Sequence, residues 1–528
     1  MDNTILKDEI TNKYISVREK VMVNEALISG LVLALAFTGG IFLRVWQINA
    51  MGFNTDEAVY SGQAAALAGI PVLKDIFPIF RAHPLLFQVL LSLVYKIQFS
   101  DLAARLLAAG IGVGTIFLTY QIGKTLYGRL PGALAALFIA IMPYHVIVSR
   151  QVLLDGPMVF FTTLTLYFLV RFGTSQKAYW LYFSGAAMGL AVLSKETSII
   201  LLGAIYAFLA LASDLRVRIK DVIISLLVWL LVVSPFPISL IFSGVSTTGK
   251  NYLAWQLFRR PNHEWSFYLT NVPLMLGSLL IVAAVVGIAI LWRERSWKEK
   301  LLYVWIVVTF AFFQLWPVKG FQYLLPLAPA VAVLAARPIG KILSNGFLES
   351  LPKKIAAFPY MRLFTWAFTL AMVFSMALFS WQRIQPNISS RFLAGTGGVP
   401  GGREAGAWIM ENVPLNATFL TIGPSMANII QFYGERKAYG LSVSPNPLHR
   451  NPSYTPINNP DAQIRSSDLQ YLVWDSFSAS RSSFFSDKVM AYVNKYNGRI
   501  IHEETIVVND ATGKPTVQPI IIIYEVHP

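Results

Sequence analysis

Two adjacent carboxylates could perform acid–base chemistry in a sequence where only 13% of the residues are charged. Asp56 and Glu57 follow the first long apolar run, and such residues are costly near a membrane unless they face water, a partner or a substrate. Asp56 is the first candidate for a catalytic residue, because a carboxylate can act as a general base. The alternative is a structural role, because Asn54 and Glu57 have the spacing of a capping box. In that motif the N-cap side chain and an acidic side chain three residues later each accept a hydrogen bond from the other residue's backbone N–H. Both can hold, since successive residues of a first helical turn point in different directions.

Other polar residues lie in segments that the predicted topology places on the same side of the membrane. Each has a structural alternative: Asp155 could cap a helix, Lys195 could extend its ammonium group to the membrane surface, and Arg259 could contact anionic lipid. Their convergence instead predicts a shared cavity between the spans and a C-terminal domain. Cationic side chains there could hold an anionic group through charge-assisted hydrogen bonds. The candidate residues are Arg81, His83, Arg150, Asp155, Lys195, Glu196, Arg259, Arg260, Gln322 and Tyr323.

The composition is that of a multi-pass membrane protein. The chain has 528 residues, of which 55% are hydrophobic, and a mean hydropathy of +0.54, which is rare in a soluble protein of this length. The net charge is +15, but Lys and Arg lie mainly between apolar runs, so they indicate membrane orientation and not nucleic-acid binding. Cysteine is absent, which excludes a disulfide framework and a thiolate metal site.

The apolar runs predict eleven membrane spans. More than twice as many Lys and Arg fall on the side of the N-terminal arm (residues 1–25) as on the other side, which predicts a cytoplasmic N-terminus. The first loop (residues 47–100) carries Asp56 and an expected interfacial helix at 85–97. The spans are expected at 27–46, 104–123, 131–148, 154–172, 179–193, 198–213, 221–242, 272–292, 301–317, 321–336 and 363–382.

The composition changes after Trp381. A linker rich in Gly, Ser and Pro (384–400) precedes alternating strand and helix patterns, which predict a small α/β domain. The odd number of spans places this domain (384–528) outside the cytoplasm, whereas residues 26–383 form the membrane domain in the cell membrane. Helices are expected at 403–412, 425–433 and 483–496, and strands at 417–422, 469–475, 500–508 and 519–526.

Short motifs follow one another along the membrane domain: Thr55-Asp56-Glu57, His83-Pro84-Leu85, Ser149-Arg150, Leu154-Asp155-Gly156-Pro157, Ser194-Lys195-Glu196 and Gln322-Tyr323-Leu324-Leu325-Pro326. Their order resembles that of the C-type membrane glycosyltransferases, which use polyprenyl-phosphate sugars. Over residues 25–335 the chain looks most like the dolichyl-phosphate-mannose protein mannosyltransferases and the aminoarabinose transferases of lipid A. It departs from them at Pro84-Leu85, where many relatives have two prolines. The Trp-Trp-Asp motif of oligosaccharyltransferases is absent, which argues against transfer of a preassembled glycan.

The resemblance implies roles for individual residues. Asp56 matches the catalytic carboxylate of the first loop, with Glu57 beside it, and Asp155 matches a second acidic position near the active site. His83, Arg150 and Lys195 fall where family members keep groups around the cavity. The implied architecture is a helical membrane protein of about eleven spans, to which many relatives add a variable extracytoplasmic domain.

The implied reaction is the transfer of a single sugar, mannose-like or aminoarabinose-like, from a polyprenyl-phosphate donor to a protein, lipid or glycan acceptor. Asp56 could accept the proton of the acceptor hydroxyl group, and the phosphate could be held by Arg150, Lys195, Arg259 or Arg260. Direct displacement of the phosphate would invert the anomeric centre. A divalent metal ion bridging Asp56, Asp155 or His83 is compatible with their ligand types, although nothing in the sequence requires one. The alternative is a transporter or flippase of lipid-linked glycans, but the charges cluster at one membrane boundary and no internal repeat is evident.

Overall fold

The computed structural model describes residues 25–77, 83–242, 259, 261–343, 360–386, 399–446, 449–451, 454–509 and 513–528. Most of the N-terminal arm, the candidate residues Arg81 and Arg260, and most of the linker lie outside this description. Within it, the chain forms a helical part and a C-terminal domain with one sheet. The α-helices of the helical part are α1 (Glu25–Val45), α2 (Thr55–Ala68), α3 (Pro71–Ile76), α4 (Leu86–Tyr95), α5 (Asp101–Tyr127), α6 (Arg129–Ile141), α7 (Pro143–Val148), α8 (Asp155–Ser175), α9 (Ala178–Ser194), α10 (Leu201–Leu211), α11 (Ile219–Val233), α12 (Pro235–Phe242), α13 (Phe267–Leu276), α14 (Ser278–Ile290), α15 (Trp297–Leu315), α16 (Ala328–Leu343) and α17 (Met361–Ile384), and 3-10 helices occur at Glu196–Ile200, Trp292–Glu294 and Phe321–Leu327.

Helical structure occupies all eleven predicted spans. Within the described residues, six helical segments are individually long and apolar enough to cross a membrane, and the bent pair α13 and α14 adds a seventh if it forms one span. The two helices of this pair meet at 97° around Gly277, whose φ of +102° favours glycine. A Cβ atom at this position would also lie only 2.9 Å from the side chain of Met376. The multi-pass helical fold is confirmed, while the total of eleven spans stays a prediction.

The centre of the helical part is formed by α6 and α16. The span Phe321–Leu343, which contains α16, is 94% buried along its apolar window, whereas only 11% of the window of Ile219–Ser239 is buried. All residues of α6 from Leu130 to Ile141 are buried. A helix that is apolar on every side must be covered either by protein or by lipid. Protein therefore surrounds α6 and α16, whereas the apolar side chains of α11 are mostly exposed, as expected for a helix that faces lipid.

The C-terminal domain contains a five-stranded sheet in the order β2-β1-β3-β5-β4. β1 is parallel to β2 and β3, while β5 is antiparallel to β3 and β4. The predicted α/β domain is confirmed. Its elements are α18 (Gly402–Asn412), β1 (Thr418–Thr421), α19 (Pro424–Tyr433), β2 (Lys437–Gly440), α20 (Pro460–Arg465), β3 (Tyr471–Asp475), α21 (Ser476–Ala479), α22 (Ser483–Lys495), β4 (Arg499–Asn509) and β5 (Pro515–Glu525).

Sequence patterns do not predict β2. Its four residues, Lys-Ala-Tyr-Gly, contain neither an apolar run nor a clear alternation. The strand forms because β1 offers a parallel partner in the register Thr418 to Lys437 through Thr421 to Gly440. Tertiary pairing therefore overrides a weak local preference.

A buried carboxylate at the end of β3 makes the stability of this domain depend on pH. Asp475 is fully buried; its Oδ1 atom accepts a hydrogen bond of 2.7 Å from the backbone N–H of Ser478, and its Oδ2 atom has no hydrogen-bond partner within the described residues. Burial raises the pKa of Asp475 to about 6, although the N–H of Ser478 opposes this effect. Between the unfolded pKa of about 3.9 and this value, the folded protein binds more protons, so stability falls as the pH rises.

We therefore expect Asp475→Asn to stabilise the protein at pH 8 and to have little effect near pH 4. The amide keeps an oxygen for the Ser478 N–H and carries no charge, so the gain at pH 8 should approach about 3 kcal/mol. Thermal unfolding in detergent across this pH range measures it. The exposed residue Asp487 provides the matched control, Asp487→Asn. An equal gain at both pH values would contradict the assignment.

Candidate functional site

Helix α2, in the first loop, begins with a capping box. The side-chain oxygen of Asn54 accepts a hydrogen bond from the Glu57 N–H at 3.0 Å, and Glu57 Oε2 accepts one from the Asn54 N–H at 3.0 Å. The predicted cap is therefore confirmed. It fixes the first turn of α2 and with it the direction of Asp56.

The carboxylate of Glu57 is occupied by structural contacts. Arg105 of α5 donates to both of its oxygens, at 2.9 Å from Nε and 2.8 Å from Nη2, and the Val152 N–H donates to Oε1 at 3.1 Å. Arg105 also donates to the backbone carbonyl oxygens of Ile48, Met51 and Gly52. Glu57 is 1% exposed and does not line the cavity that Asp56 faces. We name Glu57 and Arg105 the loop clamp, because together they hold the first loop against α5.

Asp56 points away from the loop clamp into a cavity of about 430 Å³ between the helical part and the C-terminal domain. Its side chain is exposed to this cavity, and the protein atoms packed around it reduce its contact with water. This desolvation raises the pKa of Asp56; the positive charge of Lys195 opposes the effect and the negative charge of Asp155 adds to it. A raised pKa makes a carboxylate a stronger base, which suits proton removal from a hydroxyl group.

Asp155 and Lys195 form a buried ion pair on the cavity wall. Lys195 Nζ donates to both carboxylate oxygens of Asp155, at 2.8 and 2.9 Å, and lies 5.3 Å from the ring centroid of Tyr323. Asp155 begins α8, but no side chain caps this helix. Neither structural alternative is therefore observed, because Asp155 is not a cap and Lys195 does not extend to the membrane surface. Both residues face the cavity.

Five further predicted residues line the same cavity. His83 Nδ1 lies 3.2 Å from Glu196 Oε2, which joins the first loop to the segment between α9 and α10. Gln322 and Tyr323 belong to the 3-10 helix before α16, and Arg259 comes from the segment before α13. The fold therefore gathers eight of the predicted site residues around one space: Asp56, His83, Asp155, Lys195, Glu196, Arg259, Gln322 and Tyr323.

Arg150 is placed elsewhere. Its guanidinium group donates to the carbonyl oxygens of Leu43 at 2.8 Å and Trp46 at 2.7 Å, at the C-terminal end of α1. The last carbonyl groups of a helix lack partners within the helix, so a basic side chain satisfies them. Arg150 does not line the cavity. Its contacts correct the expectation that it would face a substrate phosphate.

The C-terminal domain supplies residues that the sequence did not indicate. Eight of its described residues line the cavity, and most lie in the segment after β2. Tyr454 is one of them, and burial raises the pKa of its hydroxyl group, with a further contribution from the negative charge of Asp56. The adjacent basic residues His449 and Arg450 are the only local signal in a stretch rich in Pro, Ser and Asn. The eight are Pro424, Ser442, Val443, Ser444, His449, Arg450, Asn451 and Tyr454.

The candidate metal ligands do not fit a divalent cation. Asp155 already binds Lys195, and His83 contacts Glu196. In the part of the chain that the structure describes, no three His, Asp or Glu side chains come together to hold a metal ion.

Part of the chain matches a known sequence family. Residues 82–239 match the dolichyl-phosphate-mannose-protein mannosyltransferase family. An uncharacterized protein of Aquifex aeolicus (strain VF5) is 27% identical over 259 residues, which are 47% of this chain and 51% of that protein. The Bacillus subtilis (strain 168) protein YycA, provisionally named a mannosyltransferase, is 32% identical over 154 residues, 29% of this chain and 22% of that protein. The chain thus spans about half the length, or less, of these curated relatives.

Solved structures share the whole fold at low sequence identity. ArnT from Cupriavidus metallidurans in the apo state has a TM-score of 0.63 and 15% identity, over 96% of this chain and 98% of that chain. ArnT bound to undecaprenyl phosphate also has a TM-score of 0.63, with 14% identity over 95% and 97% of the two chains. The Archaeoglobus fulgidus oligosaccharyltransferase has a TM-score of 0.61 and 15% identity, over 93% and 74%. The chain therefore has the C-type membrane glycosyltransferase fold, as its motifs implied.

Proposed function

We propose that this protein transfers one sugar from a polyprenyl-phosphate carrier to a hydroxyl group of an acceptor. The observation that carries the proposal is the cavity itself, which sets Asp56 among the cationic residues Lys195, Arg259 and Arg450. A base and cations are the groups that this reaction needs, since a phosphate ester is already a good leaving group. The match of residues 82–239 to the mannosyltransferase family and the fold shared with ArnT bound to undecaprenyl phosphate support the same substrate class.

In the proposed reaction, Asp56 accepts the proton of the acceptor hydroxyl as its oxygen attacks the anomeric carbon. The bond between that carbon and the phosphate oxygen breaks, and the polyprenyl phosphate leaves with the electron pair. This single displacement inverts the anomeric centre. Lys195, held by Asp155, keeps a positive charge near the departing phosphate. The role of Asp155 is thus to position Lys195.

The experiment that tests the function is a product assay. Purified protein is given a panel of polyprenyl-phosphate sugars, including mannose and aminoarabinose, with peptide, lipid and glycan acceptors, and the products are identified by mass spectrometry. We expect one donor to give an acceptor larger by a single sugar, with inverted anomeric configuration. Movement of the lipid-linked sugar across vesicles without any covalent product would instead favour a transporter. A product carrying several sugars in one step would contradict single-sugar transfer.

The proposal also includes an orientation, with the N-terminus in the cytoplasm and the cavity and C-terminal domain outside it. The chain has no cysteine, so single introduced cysteines report their side directly. Ser466 lies exposed in the C-terminal domain, and Ser213 lies exposed between α10 and α11, on the predicted cytoplasmic side. In intact cells, a membrane-impermeant maleimide should label Ser466→Cys and not Ser213→Cys. The reverse labelling pattern would invert the topology.

A further inference from the structure

The C-terminal domain gives the cavity a wall built from the carboxyl ends of its parallel strands. Pro424 follows β1, and Ser442 and Ser444 follow β2. β1 lies between β2 and β3. The chain passes from β1 to β2 on one side of β1, and β3 later pairs on the other side. In open α/β sheets, ligands bind outside the carboxyl ends of strands where the strand order reverses. The domain therefore turns the edge that commonly binds ligands toward the cavity that holds Asp56.

Arg450 stands in this wall and is held by carbonyl groups of its own segment. Its Nη1 atom donates to the carbonyl oxygen of Ser444 at 3.4 Å and to that of Pro445. Its Nε atom is buried and has no hydrogen-bond partner in the described part of the chain. Carbonyl oxygens orient a guanidinium group without neutralising it, and arginine remains charged at any physiological pH. Arg450 therefore brings a full positive charge to the cavity.

Two of the cavity carboxylates already have basic partners. Asp155 is paired with Lys195, and Glu196 with His83. Among the residues that the structure describes, no acidic side chain forms an ion pair with Arg450, although three carboxylates line the same cavity. A fixed positive charge on the wall of a confined space favours an anionic ligand, and the planar guanidinium group matches phosphate oxygens.

We propose that Arg450 binds a phosphate group of the substrate, so that the C-terminal domain completes the binding site. This inference rests on the proposed function, because it assigns the phosphate to a substrate of sugar transfer. The phosphate belongs either to the polyprenyl carrier or to an anionic acceptor. Either phosphate would bind Arg450 through the same contacts. The two cases differ in whether Arg450 can still bind a phosphate once the carrier is bound.

Binding measurements test the proposal without requiring turnover. Polyprenyl monophosphate and the corresponding uncharged polyprenol are titrated into the full-length protein in detergent. If the carrier phosphate contacts Arg450, Arg450→Gln should weaken polyprenyl monophosphate binding about 10- to 100-fold and leave polyprenol binding unchanged. Arg450→Lys keeps the charge and should recover part of the affinity. The matched control is Arg465→Gln, which removes an exposed arginine of the same domain.

A second arm distinguishes the source of the phosphate. Inorganic phosphate is added to protein saturated with polyprenyl monophosphate, and the thermal unfolding midpoint is recorded. Extra stabilisation of the wild type that Arg450→Gln abolishes assigns the residue to an acceptor phosphate. The proposal is overturned if Arg450→Gln, with an unchanged unfolding midpoint, matches the wild type in both arms. Failure of the product assay in the wild type with normal phosphate binding would instead refute only the transfer reaction.

Discussion

Replacing Asp56 with asparagine is expected to lower the rate of sugar transfer by at least about 100-fold, because the amide cannot accept the acceptor proton. The substitution preserves size and leaves the loop clamp intact, since Asp56 takes no part in the contacts between Glu57 and Arg105. Donor binding and the unfolding midpoint should therefore change little. Initial rates at saturating donor, measured beside a donor titration, separate the loss of chemistry from a loss of binding.

The pH dependence of the rate provides a second readout of the same residue. Burial raises the pKa of Asp56, so protonation should inactivate the enzyme at a higher pH than is usual for an aspartate. The rate of the wild type should fall as the pH decreases through this value, and the residual rate of Asp56→Asn should not show this acid limb.

A matched control for Asp56 lies on the same loop. Asp75 of α3 is exposed and does not line the cavity, so Asp75→Asn should transfer sugar at the rate of the wild type. Near-normal turnover in Asp56→Asn would exclude Asp56 as the base. Equal losses in both variants would point to a general effect of charge on this loop.

The cap at the start of α2 could be predicted because it depends only on residues three positions apart. The gathering of Asp56, Asp155 and Lys195 could also be expected, since each lies at the same end of a predicted span. What could not be predicted is which of two neighbouring carboxylates faces the cavity. That choice depends on Arg105, 48 positions after Glu57, and no local spacing signals such a contact.

The contribution of the C-terminal domain to the cavity could not be predicted from the sequence, for a related reason. Its segment after β2 has no periodicity, and it reaches the cavity because the whole domain docks on the first loop. Tyr433 accepts a hydrogen bond of 2.8 Å from the Phe53 N–H and donates to Asp101, while Arg403 donates to the carbonyl oxygen of Asn49 at 3.1 Å. These contacts join parts of the chain that are more than 300 residues apart. Arg150 lies at the predicted membrane boundary, as the other candidates do, but its guanidinium group binds carbonyl groups at the end of α1 and does not line the cavity.

Removing the guanidinium group of the loop clamp is expected to cost more stability than any other single change that we propose. Arg105→Met leaves the Glu57 carboxylate buried without its bidentate partner, and breaking a buried ion pair in this way typically costs about 3–5 kcal/mol. It also leaves the carbonyl groups of Ile48, Met51 and Gly52 without a donor. The unfolding midpoint should fall, and limited proteolysis should cut the first loop faster than in the control Lys96→Met, which alters an exposed basic residue of the same loop.

Variants of the loop clamp test whether Glu57 takes part in catalysis or positions Asp56. If it is a positioning residue, Glu57→Gln should lower stability and turnover together, and the remaining activity should keep the acid limb that belongs to Asp56. The double variant Glu57→Gln with Arg105→Met should be more stable than the sum of the two single changes predicts, because it leaves no unpaired charge. A Glu57→Gln protein with the unfolding midpoint of the wild type but no turnover would contradict this assignment, since the loss would then lie in the chemistry and not in the frame that holds Asp56 in the cavity.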